Sequence, residues 1–285
     1  MSLSVVSNIA SLKAQTQLNK TNRALSKTFE RLSSGLRINS ASDDPAGLAM
    51  AESLKTDAKL ATVALRNAND GISLTAIADA GLEEITNVLQ RMSELAQQSS
   101  NGVFSNTQRS ALSAEFIALG SEIDRISRTT TFNDINLLSN SSSVSIQVGL
   151  RNSSSSTISI GSVVATLQAL GIGNSGGALT FSIIATTTSL SALAATNAVS
   201  AINTAIDSVS ALRGTIGAAE SRLNTAVSYL GVIRENLVAA ESRIRDADVA
   251  QEVAEMVRLQ VLQQAGTAVL AQANQQPAVV LALLQ

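Results

Sequence analysis

Every seventh residue from Ile202 to Ile244 is aliphatic: Ile202, Val209, Ile216, Leu223, Leu230, Leu237 and Ile244. Three places after each of the first six stands another apolar residue: Ala205, Leu212, Ala219, Ala226, Ile233 and Ala240. Spacing that alternates between three and four puts one narrow apolar stripe on a helix, and that stripe needs partner helices to cover it. No proline interrupts the run. As one helix at about 1.5 Å per residue it would be roughly 65 Å long, which predicts a rod rather than a rounded core. The seven aliphatic positions are the predicted rod seam.

The rest of the chain supplies candidate partners. Val5, Ile9, Leu12, Leu18, Leu25, Phe29, Leu32 and Leu36 recur mostly by threes, fours and sevens, so a helix is predicted there, with Gly35 as its stop. A turn follows over residues 39–45, in which Asp44 reads as an N-cap and Pro45 as a first helical residue. A second long helix is predicted over residues 46–99. Its stripe is Leu65, Ala68, Ile72, Leu82, Ile85, Leu89, Met92 and Ala96, and Gly71 and Gly81 count against perfect regularity. After a turn at 99–102, Ser105 and Gln108 form a weak capping-box match before a third helix carrying Leu112, Phe116, Leu119, Ile123 and Ile126.

The period then drops to two. Val144, Ile146 and Val148 alternate with polar residues, as do Ile158 and Ile160 beyond an Asn- and Ser-rich stretch, which predicts a hairpin. Residues 161–188 are rich in Gly, Ser and Thr and are predicted irregular, with some strand near 179–184. Helix resumes near Ser191 and runs through the seam. A last helix is predicted over 248–273, stopping before Pro277.

The predicted fold is therefore mainly α. It is a long antiparallel helical or coiled-coil bundle formed by both termini, with a small β-hairpin region mid-chain. Three parts are expected. Residues 1–40 with 249–285 form a terminal domain, residues 41–160 with 190–248 an outer helical rod with the hairpin, and residues 161–189 a short variable surface segment, its Gly, Ser and Thr suited to solvent.

Composition narrows the chemistry. The chain has 285 residues, 45 % of them apolar but only 2 % aromatic, so its core is aliphatic and suits thin helix–helix seams. The net charge of −2 and the lack of a basic stripe give no nucleic-acid footprint. There is no Cys and no His, which removes disulfides, thiolate chemistry, the commonest general base and the commonest metal ligand. No catalytic residue, cofactor or metal is expected. Acidic and basic residues between Glu241 and Asp248 are read as a helix-face pair, Glu241 with Arg245, rather than a metal site.

The two ends share a character. The first twelve residues show no basic lead-in and no small-residue cleavage site, so no ordinary secretory signal is predicted. Beyond Arg258 no charged residue occurs, yet seven Asn and Gln between positions 260 and 276 would be costly in hydrocarbon. A partner-covered helix is predicted, not membrane insertion. Val5, Ile9, Leu12, Val261 and Leu270 mark these tails as surfaces for partner helices, expected to order only when neighbours surround them.

Several separate motifs, in order, carry a resemblance. They are Ser7-Asn-Ile-Ala-Ser-Leu12, Arg31-Leu-Ser-Ser-Gly-Leu-Arg-Ile-Asn39, Asp43-Asp-Pro-Ala-Gly-Leu48, Glu122-Ile-Asp-Arg-Ile126, Ile146-Gln-Val-Gly149, Ser242-Arg-Ile-Arg-Asp-Ala-Asp248 and Gln263-Gln-Ala-Gly-Thr-Ala-Val-Leu-Ala-Gln-Ala-Asn-Gln275. Over residues 1–160 and 195–285 the chain resembles bacterial flagellin, in a short form without large outer surface domains. The resemblance implies a structural subunit that self-assembles into a helical homopolymer, the extracellular flagellar filament used for swimming. It also implies partners: the flagellar export apparatus, an export chaperone, the filament cap and junction proteins, and the Toll-like receptor of animal hosts. Export without a cleaved signal peptide fits the reading of the N-terminus.

Arg91, Leu95 and Glu115 lie in blocks similar to the flagellin surface which that receptor reads, although Ser93 stands where the family often has a second basic residue. As subunit contacts the same residues need no receptor. The serines of 139–143 and 153–156 offer sites for O-linked sugars, but a solvated turn is the preferred reading. A hook–filament junction protein shares the terminal helices and is the alternative function; the match over the outer rod argues against it. An inserted zinc peptidase, known from some flagellins by H-E-x-x-H, is excluded because the chain has no His.

Overall fold

A computed structural model describes residues 8–151, 153–174, 176–185 and 187–283. Val5 and the first part of the N-terminal tail lie outside the described residues. Five long helices dominate: α1 (Ile9–Ser34), α2 (Pro45–Ser100), α3 (Asn106–Thr129), α4 (Thr188–Arg245) and α5 (Val249–Leu283). Between α3 and α4 lie four short strands, β1 (Thr131–Phe132), β2 (Ile135–Asn136), β3 (Val144–Gln147) and β4 (Thr157–Ile160), paired β1 with β2 and β3 with β4. The fold is mainly α, as the periodicity predicts. By compactness the chain divides into two units, residues 1–58 with 235–285 and residues 59–234.

In the first unit α1 and α5 lie antiparallel along one another. Arg31 pairs with Glu252 at 3.0 Å, the Asn22 side chain accepts from Gln263 at 2.8 Å, and the Asn8 side chain donates to the Ala273 carbonyl at 2.7 Å. Helix α1 ends at Gly35, whose φ of 71° is left-handed and whose N–H donates to the Arg31 carbonyl. The chain just after α1 is stitched to the chain just after α4: Leu36 bridges Asp246, Arg37 N–H donates to the Arg245 carbonyl at 2.6 Å, and Ala247 N–H donates to the Gly35 carbonyl.

The loop before α2 is held by Asp43. Its carboxylate meets Lys27 at 2.5 Å and accepts from the Ser40 and Asn39 N–H groups, and Lys27 foremost holds its pKa well below the usual carboxylate range. Asp44 caps α2 by accepting from Gly47 N–H, with Pro45 at the first helical position. Arg245 pairs with Glu52 on α2 at 2.8 Å rather than with Glu241, so the expected intrahelical pair is replaced by one between helices.

In the second unit α2 and α4 run antiparallel, with Arg213 gripping Asp79 through two nitrogens at 2.7 and 3.0 Å. Leu82, Ile85, Leu89, Met92 and Ala96 of α2 face Ala205, Val209, Ile216 and Leu223 of α4 in one core, joined by Phe116 and Ile123 of α3. The capping box at Ser105 and Gln108 is present. The predicted hairpin forms with Val144 opposite Ile160 and Ile146 opposite Ile158.

Three expectations need correction. The stretch 161–189 is not a solvated excursion: Val163, Ala165, Leu167, Leu170, Ile172 and Ile183 are buried, and Ala165 N–H donates to the Leu138 carbonyl. Its small polar residues separate apolar ones that reach the core. The strand expected near 179–184 reduces to a single bridge between Gly173 and Leu179. Helix α5 does not stop before Pro277 but runs on to Leu283.

Candidate functional site

Proline has no N–H, so Pro277 leaves the Ala273 carbonyl without its ordinary helical donor. The Asn8 amide nitrogen fills that vacancy at 2.7 Å, while the Asn8 amide oxygen caps α1 by accepting from Ser11 N–H at 3.0 Å. Ser11 Oγ in turn donates to the Asn274 side chain at 2.6 Å. One asparagine thus closes the start of α1 and the proline gap of α5 together. This second donor keeps the Ala273 carbonyl paired where the helix passes the proline, and an unsatisfied buried carbonyl is costly.

Along the rest of the pair only one stripe is covered. Leu25 on α1 and Leu259 and Ala273 on α5 are buried. Ile9 is 59 % exposed, Leu12 64 % and Val261 58 %, and Val257 and Val269 are also exposed, while Leu270 is half-buried. Two helices cannot cover apolar residues that occupy most of their circumference. The tail residues within the described range therefore leave apolar side chains exposed.

The seam divides along its length. Ile202, Val209, Ile216, Leu223 and Leu230 are each at most 2 % exposed, whereas Leu237 and Ile244 are only half-buried. The three residues grouped as a contact surface also separate. Arg91 and Glu115 meet at 2.9 Å on the outside, and Arg91 reaches Glu94 as well; these two carboxylates, Glu94 first, raise its pKa further. Leu95 is 1 % exposed and belongs to the core, three residues on from Met92 in the same buried stripe. Sequence reasoning missed Arg109, which is wholly buried and spends its guanidinium on the main-chain carbonyls of Ser99 at the end of α2 and of Asn101 and Phe104 in the turn after it. Its place in the first turn after a capping box, beside a turn rich in free carbonyls, was the available signal.

Among the described residues no group of three or more His, Cys, Asp or Glu is placed to hold a metal ion, and no helix is long and apolar enough to cross a membrane.

Residues 5–143 match the bacterial flagellin N-terminal helical region, and residues 199–284 match the bacterial flagellin C-terminal helical region. The chain is 37 % identical over 289 residues to the flagellar filament 33 kDa core protein of Treponema phagedenis, covering 98 % of each chain. It is 36 % identical over 282 residues to the flagellin of Listeria monocytogenes, covering 96 % of this chain and 97 % of the other. Among solved structures, a putative flagellar hook-associated protein from Vibrio parahaemolyticus aligns with a TM-score of 0.58 at 14 % identity, over 72 % of this chain and all of that one. That likeness is one of fold alone; the sequence likeness over nearly the whole length is to flagellins. The chain belongs to the bacterial flagellin family.

Proposed function

We infer that the chain is the repeating structural subunit of a bacterial flagellar filament, and that its terminal helix pair is the polymerising element. The observation that carries this reading is the apolar surface left on α1 and α5, in the two regions that match the family at either end of the chain. A second copy offers the same kind of surface, and burial returns about 25 cal/mol per Å². The end-to-end likeness to a filament core protein favours this function over a hook–filament junction role. If the reading holds, purified chain seeded with filament fragments elongates them into filaments that incorporate it. Filaments that do not lengthen, with the protein shown to be folded, would refute it.

The terminal pair is proposed to order in full only on polymerisation. An apolar helix pair without neighbours gains little from helix propensity alone. Before assembly such segments need cover, which supports transit through the flagellar export apparatus with an export chaperone and docking beneath the filament cap and onto junction proteins. Location in the extracellular flagellum goes with this route.

Arg91 and Glu115, 51 % and 44 % exposed, are proposed as a contact for neighbouring subunits and for the Toll-like receptor of animal hosts. Both stand on the surface of the second unit, where removing an exposed ion pair costs at most about 1 kcal/mol. Arg91→Ala should leave the melting curve of the monomer nearly unchanged while weakening receptor signalling. Signalling at full strength from a monomeric variant would count against the receptor contact.

A further inference from the structure

The turn between α2 and α3 contains the one Asn-Gly pair in the sequence, Asn101-Gly102. Both residues are exposed, and Val103 beyond them is 79 % exposed. Apart from its chain neighbours, nothing lies within 4 Å of where a Cβ on Gly102 would stand, and with no side chain of its own Gly102 does not crowd the approach of its nitrogen to the Asn101 side chain. Val103 N–H donates to the Asn101 side-chain oxygen at 3.3 Å. The main-chain carbonyl of the same Asn101 accepts from Nη2 of Arg109 at 2.9 Å. Arg109 itself is fully buried, and its three acceptors are all main-chain carbonyls.

We propose that Asn101 is a site of spontaneous deamidation, with water as the co-reactant, and that Arg109 directs the product to isoaspartate. In the first step Gly102 nitrogen gives its proton to solvent base and attacks Cγ of Asn101. A new C–N bond forms and the negative charge develops on the side-chain oxygen, where Val103 N–H already donates. A donor aimed at the site of developing charge is the arrangement that lowers such barriers. The Cγ–Nδ2 bond then breaks, and the nitrogen leaves as ammonia after taking a proton from water. The product is a five-membered succinimide; nothing is oxidised or reduced.

Water next opens the ring at one of two carbonyls. Attack at the former side-chain carbonyl gives aspartate. Attack at the former main-chain carbonyl breaks its bond to Gly102 nitrogen and gives isoaspartate, with the chain rerouted through the side chain. Only the main-chain carbonyl carries a charged donor, the Arg109 guanidinium, which polarises it toward attack. The free carboxylate so formed is left against Arg109, a buried cation that otherwise donates to neutral carbonyls. The geometry therefore favours isoaspartate twice, in approach and in product.

The test is peptide mapping of the purified full-length monomer after incubation at mildly alkaline and mildly acidic pH, with isoaspartate detected by enzymatic methyl labelling. Position 101 is expected to gain one mass unit ahead of every other asparagine, faster at alkaline pH, with isoaspartate as the main product. Gly102→Ala, which obstructs the approach, and Val103→Pro, which removes the N–H donor, should each slow the reaction several-fold. The Arg109 assignment is read from the product ratio: Arg109→Gln should shift it toward aspartate. Should that variant fail to fold, the native protein is compared with the same protein in denaturant, where the bias is expected to fall. An intact Asn101 after other asparagines have reacted would overturn the site. An unchanged product ratio between native and denatured chains would overturn the role of Arg109.

Discussion

A chain cut after Arg258 should stay soluble, keep the helices of its second unit and form no filaments at all. The cut removes Leu259, Ala273 and the partners of Asn8, Ser11 and Asn22, so α1 loses its cover along most of its length. Nothing between residues 59 and 234 is touched, because that core draws on α2, α3, α4 and the hairpin. The loss is expected to be complete because both terminal helices contribute the apolar residues that neighbours would cover. Ordering each residue costs about 1–2 kcal/mol, and only burial against several copies can offset it. Filaments from the truncated chain would refute the polymerising role of α5. Hydrogen exchange on the intact monomer makes a separate check: tail amides already protected before assembly would refute coupled folding and leave the assembly surface standing.

The readable parts of this fold are those where one local rule met no rival. The capping box at Ser105 and Gln108, the Asp44 cap with Pro45 behind it, the Gly35 stop and the alternation that makes β3 and β4 strands all follow from residues a few places apart. The β1–β2 hairpin escaped because two-residue strands carry no period. Its signal was the turn: Asn133 and Asp134 sit at φ of 48° and 62°, the left-handed pair that a two-residue hairpin loop requires. Residues 161–189 were misjudged on composition, although Val163, Ala165 and Leu167 alternate as a buried extended segment should.

Other failures have one cause, a partner remote in sequence. Pro277 ends a helix by any local rule, and only Asn8, 265 residues away, supplies the missing donor. Arg245 finds Glu52, 193 residues away, before Glu241 on its own helix. At the candidate surface, Arg91 and Glu115 were legible as charged residues on helix faces, and Leu95 was not legible from its motif. Counted from Met92 instead, it falls inside the stripe. Arg109 was missed because a buried arginine that uses only main-chain carbonyls leaves no charge partner to find in the sequence.

The seam offers a prediction about stability whose size can be bounded. Leu223 is fully buried on α4, and its methyl groups lie against Gly71 on α2, where Ile146 of β3 also comes close. Leu223→Ala should cost about 2–5 kcal/mol, the range for a buried leucine cut back to alanine, and the upper half is expected here. The reason is Gly71. A glycine has no side chain to swing into the space, so the cavity cannot collapse from that side. Leu237→Ala, at a half-buried seam position, should cost much less in the monomer. The companion substitution tests the contact itself. A Cβ on Gly71 would stand 3.1 Å from Ile146 Cγ1 and 3.2 Å from Leu223 Cδ1, so Gly71→Ala alone crowds the seam and forfeits part of the roughly 1 kcal/mol that alanine gains over glycine in a helix. With Leu223 already cut to alanine most of that crowding is gone, and the new methyl fills part of the hole. Gly71→Ala should therefore be clearly more stabilising in the Leu223→Ala background than in the parent chain. Denaturant unfolding of the four proteins measures the cycle, and strict additivity would show that these two residues do not meet across the seam.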